Sequence, residues 1–222
     1  MKLRFEIILL LSILLLITIP LSVYSDIMDD NNLTGNNTTI LNVPDVRQPT
    51  DFSCGPTALQ AVLAYYGTDI RMDELINMTN STENGTLPDN IAQAARQLGF
   101  STEIKENMTL EDLQNNINQG IPVIIDCQAW KGNNTNTSSQ NWTTDQQDGH
   151  YMVVIGVDKD NVYFEDPAVL GSRGYIPNQE FLDRWHDLYQ DPNTGNNITA
   201  SHLGIIITGK QALARPLMIK ID

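Results

Sequence analysis

The chain has 222 residues, a formal net charge of −14 and 41% hydrophobic residues. Such a composition describes a globular body, and the length leaves one domain of roughly 180 residues behind an N-terminal segment of about 25. The acidic balance argues against nucleic acid or an anionic membrane surface as a partner.

Lys2 and Arg4 precede an almost wholly apolar run over residues 7–19, followed by Pro20 and the pattern Val23-Tyr24-Ser25. This is the architecture of a signal segment cut after Ser25. The run is short for a spanning helix, so cleavage and retention as an N-terminal membrane anchor both stay open. Either route places the protein outside the cell or at its surface. Residues 26–39 are polar, Asn-rich and without period, and read as a flexible stalk. The domain is expected over 40–210, with 211–222 as a tail. Eleven Asn-x-Ser/Thr acceptors, from Asn32 to Asn197, suit a glycosylated exported surface, although an Asn- and Thr-rich chain also makes such triplets by chance.

The stretch Gln48-Pro-Thr-Asp-Phe-Ser-Cys54-Gly55-Pro56-Thr57 places a cysteine where a loop turns into a helix. Pro56 fits a first helical turn, and Gly55 allows backbone to approach closely. The helix is expected over 57–66, with Ala58, Leu59, Val62, Leu63 and Tyr66 at helical spacing and Gly67 as its stop. Unpaired N–H groups and the helix dipole at that end favour thiolate over thiol. Cys54 is thus a candidate nucleophile; the alternative is a small buried residue or half of a disulfide.

Further helices are expected over 72–78, over 88–98 with Gly99 as stop, and from Thr109, whose partner Asp112 completes an N-terminal capping signal, to Gly120. Strands are expected over 101–104 and 122–126. Residues 130–148 form a long polar loop carrying Trp130 and Trp142, which either pack under it or line a substrate groove; packing is the preferred reading. From Gly149 the pattern turns to β: a strand over 150–157, a turn over 158–161 and a return strand over 162–165, stopped by Asp166-Pro167. A loop over 171–174, a helix over 177–186 with Phe181, Leu182 and Trp185 inward, a loop over 191–199 and a buried strand over 203–207 follow; 216–221 reads as an edge strand or tail. Helices first and an antiparallel sheet second give an α+β fold.

A thiolate nucleophile needs a base, and the base needs an orienting group. Among three histidines, His150 opens a strand, and the hairpin after it returns Asp166 to the same end of the sheet. His186, in the expected helix beside Asp187, reads as a surface residue, and His202 as structural. The backbone N–H of Cys54 and the amide of Gln48, on the loop leading to it, are candidate oxyanion donors. Cys127, the second of two cysteines, follows an apolar strand and reads as core or as the partner of Cys54 in a bridge. No Cys/His group has zinc spacing, and no metal or other cofactor is expected.

The stretches QPTDFSCGPTALQAVLAYYG over 48–67, GHYMVVIGVD over 149–158 and VYFEDP over 162–167 resemble the papain-type cysteine peptidases. The closer resemblance is to the bacteriocin-processing peptidases that cut after a double-glycine leader, and to their stand-alone relatives, with GYIPNQEFLDRWHD over 174–187 a further matching segment. The resemblance spans about residues 41–208. It implies a papain-like fold with a helical half and a β half, Cys54 as nucleophile, His150 as base, Asp166 as orienting acid and Gln48 as oxyanion donor. ATP is not implied. The implied chemistry is attack on a peptide-like carbonyl, a thioester, and release to water. Release to an amine, as in transglutaminase-like transfer, uses the same groups. A non-catalytic surface binding module with a Cys54–Cys127 disulfide is the third reading. The implied partner is a peptide or protein substrate, cell-wall peptides included.

Overall fold

Ser53 turns the chain into its first helix. Its hydroxyl accepts the Thr50 N–H at 3.1 Å and donates to the Thr50 carbonyl at 3.0 Å, and its own carbonyl accepts the Thr57 hydroxyl at 2.7 Å. In the computed structural model, which describes residues 38–130, 141–191 and 194–209, helix α1 (Cys54–Tyr65) therefore begins at the cysteine, three residues before the expected start. Residues Cys54 through Ala58 are all buried, as are Leu59 and Ala61 to Leu63, so the helix is covered on most of its surface and only Gln60, Ala64 and Tyr65 are half-buried. The expected N-terminal segment and stalk up to residue 37, most of the long loop (131–140) and the expected element at 216–221 lie outside the described residues.

Helices α2 (Met72–Met78) and α3 (Pro88–Gln97) follow, then strand β1 (Ser101–Lys105) and helix α4 (Leu110–Asn118). Gly67, Gly99 and Gly120 all adopt positive φ at the ends of α1, α3 and α4, where their sequence positions put them. Strands β2 (Val123–Gln128), β3 (Gly149–Val157), β4 (Asn161–Glu165) and β5 (Gly174–Pro177) come next. Helix α5 (Asn178–Arg184), strands β6 (His186–Gln190) and β7 (Asn197–Ser201) and strand β8 (Gly204–Thr208) complete the domain.

The main sheet runs β1-β8-β2-β3-β4-β5, with every neighbouring pair antiparallel. The α+β reading holds, but the halves are not segregated. β1 and β2 from the helix-rich half enter the sheet, and the last strand is inserted between them. Helices α1 and α4 pack on β3.

The region after β4 departs from expectation. Residue 174 opens an edge strand, and α5 ends two residues before the expected stop. Trp185, fully buried, stacks between Phe181 and His202, and its indole N–H donates to the Leu203 carbonyl at 2.9 Å. That anchor draws the chain out of the helix. His186 consequently starts β6, which pairs with β7 across the expected loop 191–199. The short apolar content of both strands hid them, since each is half-exposed and finds its backbone partners only in the other.

Register in the β3–β4 hairpin decides the site. Val153 faces Glu165 and Val154 faces Phe164, but Gly156 faces Tyr163, so a bulge adds one residue at Ile155. Extending the pairing beyond Glu165 brings Asp166 level with Met152, on the face of the sheet that His150 shares at period two. Without the bulge the two would lie on opposite faces.

Candidate active site

Cys54 is the first residue of α1, 8% exposed, and its sulfur opens into a cleft of about 1310 Å³. His150, from the start of β3, hydrogen-bonds the sulfur. Its Nε2 lies 2.7 Å from Asp166 Oδ1, which leaves Nδ1 for the sulfur. Asp166 also accepts the Ala168 N–H at 2.8 Å on Oδ1 and the Trp130 indole N–H at 2.9 Å on Oδ2. The structure thus brings Cys54, His150 and Asp166 into one hydrogen-bonded chain.

The electrostatics follow from the geometry. Burial pushes the Cys54 thiol up, but the hydrogen bond and charge of His150, with the N–H groups of Tyr151 and Gly55, outweigh it and set the thiol below its ordinary value of 9.0. Burial pushes His150 down, but the hydrogen bonds to Asp166 and Cys54 and their charges lift it to about 10. Burial raises Asp166, yet His150, the Ala168 N–H and Trp130 leave it below the usual carboxylate value. The arrangement favours a thiolate facing an imidazolium, held by a carboxylate, over a neutral thiol beside a neutral ring.

Gln48 is placed next to this chain but not in it. Its backbone N–H donates to the Pro167 carbonyl at 3.0 Å, which ties the loop before Cys54 to the turn after Asp166. Its side-chain Nε2 donates to the Thr50 carbonyl at 2.9 Å, while Oε1 is buried without a partner. An amide nitrogen carries two donors, so one N–H remains uncommitted. Pro49 and Thr50, which follow it, line the cleft.

Both cysteines are free thiols. Cys127 lies fully buried in β2, paired across to His150, and burial pushes its thiol well above the ordinary value. The disulfide considered from the sequence is not formed. His202 is structural as expected, stacked on Trp185 with Nδ1 3.2 Å from the Met108 carbonyl. His186 is not on a helix surface: half-buried on β6, it contacts the Trp142 carbonyl through Nε2 at 2.9 Å. Trp142 lies under the Arg184 guanidinium, 3.6 Å from the ring centroid, as the packing reading required. Trp130 instead is 60% exposed and caps Asp166.

Sequence reasoning missed three site residues: Trp130 as a partner of Asp166, and the carboxyls Asp126 and Asp187, which line the cleft beside Cys54. Asp126 carried a signal, a carboxylate closing the run Ile-Pro-Val-Ile-Ile before a cysteine. The other two depend on contacts between distant segments. Gln146 and Gln147 of the long loop line the cleft, as do residues between 80 and 90 and β6, whereas Val169 and Arg173 line a separate groove with Asp166.

A family model described as Peptidase_C39 like family matches residues 40–192. The chain belongs to the Peptidase_C39-like family. This is a family of cysteine-type peptidases, hydrolases by reaction class. The Transport/processing ATP-binding protein ComA of Streptococcus pneumoniae is 26% identical over 142 residues, which cover 62% of this chain and 17% of that protein. The C39-like chain thus spans under a fifth of the length of that curated relative. Among solved structures, a C39-like peptidase from Bacillus anthracis superimposes with a TM-score of 0.58 at 20% identity, over 79% of this chain and all of that one (100%). A double glycine motif protease from an AMS/PCAT transporter, in complex with its leader peptide, gives a TM-score of 0.52 at 22% identity, over 76% and 92%. These neighbours fix the papain-like peptidase fold.

Proposed function

We propose that the protein is a cysteine peptidase that hydrolyses peptide bonds of extracellular or cell-surface peptides, cell-wall peptides among them. Cys54 is the nucleophile, His150 the base, Asp166 the orienting acid and Gln48 an oxyanion donor. The observation that carries this reading is the chain from sulfur through imidazole to carboxylate, with 2.7 Å between His150 Nε2 and Asp166 Oδ1, at an open cleft. The basic N-terminus, the apolar run over 7–19 and the Val23-Tyr24-Ser25 pattern support export, with the segment cut or kept as an anchor. The leader peptide bound by the double glycine motif protease supports an extended peptide as the substrate class.

The chemistry follows in two halves. The Cys54 thiolate adds to the scissile carbonyl carbon, and the developing oxyanion is met by the Cys54 N–H and the uncommitted N–H of Gln48. His150 gives its proton to the leaving amine as the C–N bond breaks, which leaves a thioester. It then takes a proton from water, whose oxygen attacks the thioester, and the sulfur departs as thiolate. Asp166 holds the ring in one orientation throughout, its own geometry fixed by Ala168 and Trp130.

An unbiased peptide-cleavage profile with a Cys54→Ala control tests this. The variant is expected to retain the fold and lose roughly a thousandfold or more of kcat/KM. Equal cleavage by both proteins ends the proposal.

A further inference from the structure

Composition does not account for the Asn-x-Ser/Thr triplets. The chain has 22 asparagines, and 29 of its 222 residues are Ser or Thr. Chance pairing at that frequency makes about three triplets, against eleven present, none with Pro at the middle position. The excess is not confined to the polar runs outside the described residues. Six of the fourteen described asparagines head a triplet: Asn77, Asn80, Asn84, Asn107, Asn141 and Asn197.

The fold separates these six from the rest. All six are exposed, whereas four of the eight other described asparagines, Asn90, Asn116, Asn161 and Asn178, are half-buried. Two of those four hold backbone: Asn116 Nδ2 donates to the Asp112 carbonyl at 2.8 Å, and Asn178 Nδ2 to the Asp158 carbonyl at 2.9 Å. Among the described residues no hydrogen bond engages the side-chain amide of Asn77, Asn80, Asn84, Asn107 or Asn197. Their amide nitrogens are therefore open to modification without loss of a structural contact.

Two of the six stand at the active site. Asn80 and Asn84 line the cleft that holds the Cys54 sulfur, and the other four do not. The loop that carries them is fixed. Thr82 and Gly85 pair across it through backbone hydrogen bonds of 3.1 and 2.8 Å, and the Ser81 and Thr86 hydroxyls meet at 2.6 Å. The Thr86 carbonyl accepts the Tyr151 hydroxyl at 2.9 Å, which ties the loop to the residue after His150. A group attached to either asparagine thus stands at a set place on the rim.

We propose that Asn80 and Asn84 carry N-linked glycans that form one rim of the active-site cleft, admitting extended peptide and turning away folded protein. The modification rests on the export reading above; the selection rests also on the peptidase reading. The sugar comes from a lipid-linked sugar phosphate on the exported side of the membrane. The amide nitrogen bonds to the anomeric carbon, and the bond from that carbon to the phosphate oxygen breaks. The amide gives up one proton and the lipid phosphate leaves, so nothing is oxidised or reduced. Glycans are bulky and hydrated. Two on one rim fill the volume above the cleft that a globular substrate needs and a single extended strand does not.

Glycopeptide mass spectrometry of the protein purified from its own host reads the sites. Sugar mass on the peptides bearing Asn80 and Asn84 is the expected result. Unmodified Asn80 and Asn84 in the exported protein overturn the proposal and leave the peptidase reading intact. The selection is read as a ratio of kcat/KM, for one cleaved peptide offered free and the same peptide displayed in a surface loop of a folded protein. That ratio is expected to be at least fivefold higher in the glycosylated protein than in the same chain made in a host lacking N-glycosylation. Asn80→Gln combined with Asn84→Gln, made in the original host, should lower it to the unglycosylated value. The reciprocal variant, with Gln at the other four described positions, should keep the wild-type ratio; it decides alone if the double variant fails to fold. Equal ratios with and without glycans, or a ratio that follows the other four positions, overturn the rim. If no peptide is cleaved in a Cys54-dependent way, the peptidase reading fails. The rim is then judged by labelling of Cys54 with iodoacetamide and with a maleimide carried on a folded protein. Glycans should slow the second reagent at least fivefold relative to the first, and equal slowing overturns the rim.

Discussion

His150 stands between two negative partners, and that position sets the pH dependence. Its ring is almost fully buried, which taken alone would strip its proton; the hydrogen bonds and charges of Asp166 and Cys54 reverse this and hold it to about 10. The reactive pair requires a deprotonated sulfur and a protonated ring. Activity should therefore rise as Cys54 ionises, at a pH below 9.0, and fall as His150 deprotonates near 10, a bell with a broad alkaline shoulder. Replacing Asp166 by Asn removes a charge and a strong acceptor from Nε2. The falling limb should then move to lower pH, with kcat/KM down roughly tenfold or more, and a pH–rate profile in which the limb stays put argues against Asp166 as the orienting group. Trp130 acts one step further out. Trp130→Phe keeps an aromatic side chain but removes the pyrrole ring with the N–H that reaches Asp166 Oδ2, so a loss of about 1.4 kcal/mol, roughly tenfold in kcat/KM, is the expected size for one hydrogen bond to a charged group.

Elements separate stability from reactivity. Helix α4 carries a complete capping box: the Thr109 hydroxyl accepts the Asp112 N–H at 3.1 Å, and Asp112 Oδ2 accepts the Thr109 N–H at 2.9 Å. None of its residues lines the cleft. Thr109→Ala is expected to cost about 1 kcal/mol, read as a Tm lower by about 3 °C, with kcat/KM unchanged. A matched fall in activity at low temperature would mean that α4 transmits to the site through β3. Such local signals explain what the sequence reveals. Thr109/Asp112, the glycine stops and the alternation in 150–157 act within a few residues, and so do the features that single out Cys54 and His150. The bulge at Ile155 is different. It depends on pairing between strands, and it alone makes Asp166 coplanar in register with His150, so counting residues from the turn reached the right acid without the reason. The strand at His186 was hidden because an amphipathic helical pattern continues past Trp185, and only the long-range hold of Leu203 on that indole interrupts it. Asp187 was lost with it, since its meaning lies in contact with Gly149, 38 positions away by number.

At the scale of the whole molecule, the site exists only when distant segments meet. Cys54 comes from the first helix, His150 from the central hairpin and Asp166 from just after it, Trp130 from the loop after β2, and Asp187 from the second sheet. Apart from the Gly55 N–H, the groups that lower the sulfur reach it only through the tertiary structure, and the two cysteines make this measurable. Cys54 is 8% exposed at the cleft, with its thiol lowered; Cys127 is fully buried, with its thiol raised. Thiolate fraction and access both control alkylation, so unreduced native protein treated with iodoacetamide should carry one adduct, on Cys54, with Cys127 at least tenfold slower. In urea both should react at similar rates, because an unfolded chain gives both thiols ordinary acidity and free access. Mass spectrometry across a urea titration should show selectivity disappearing in step with the loss of tertiary signal. Protection of both thiols until a reductant is added would reveal the bridge that the free thiols exclude. Loss of Cys54 selectivity well before global unfolding would mean that the hairpin carrying His150 detaches from α1 as a separate unit, and the sulfur's reactivity would then report that opening rather than the stability of the fold.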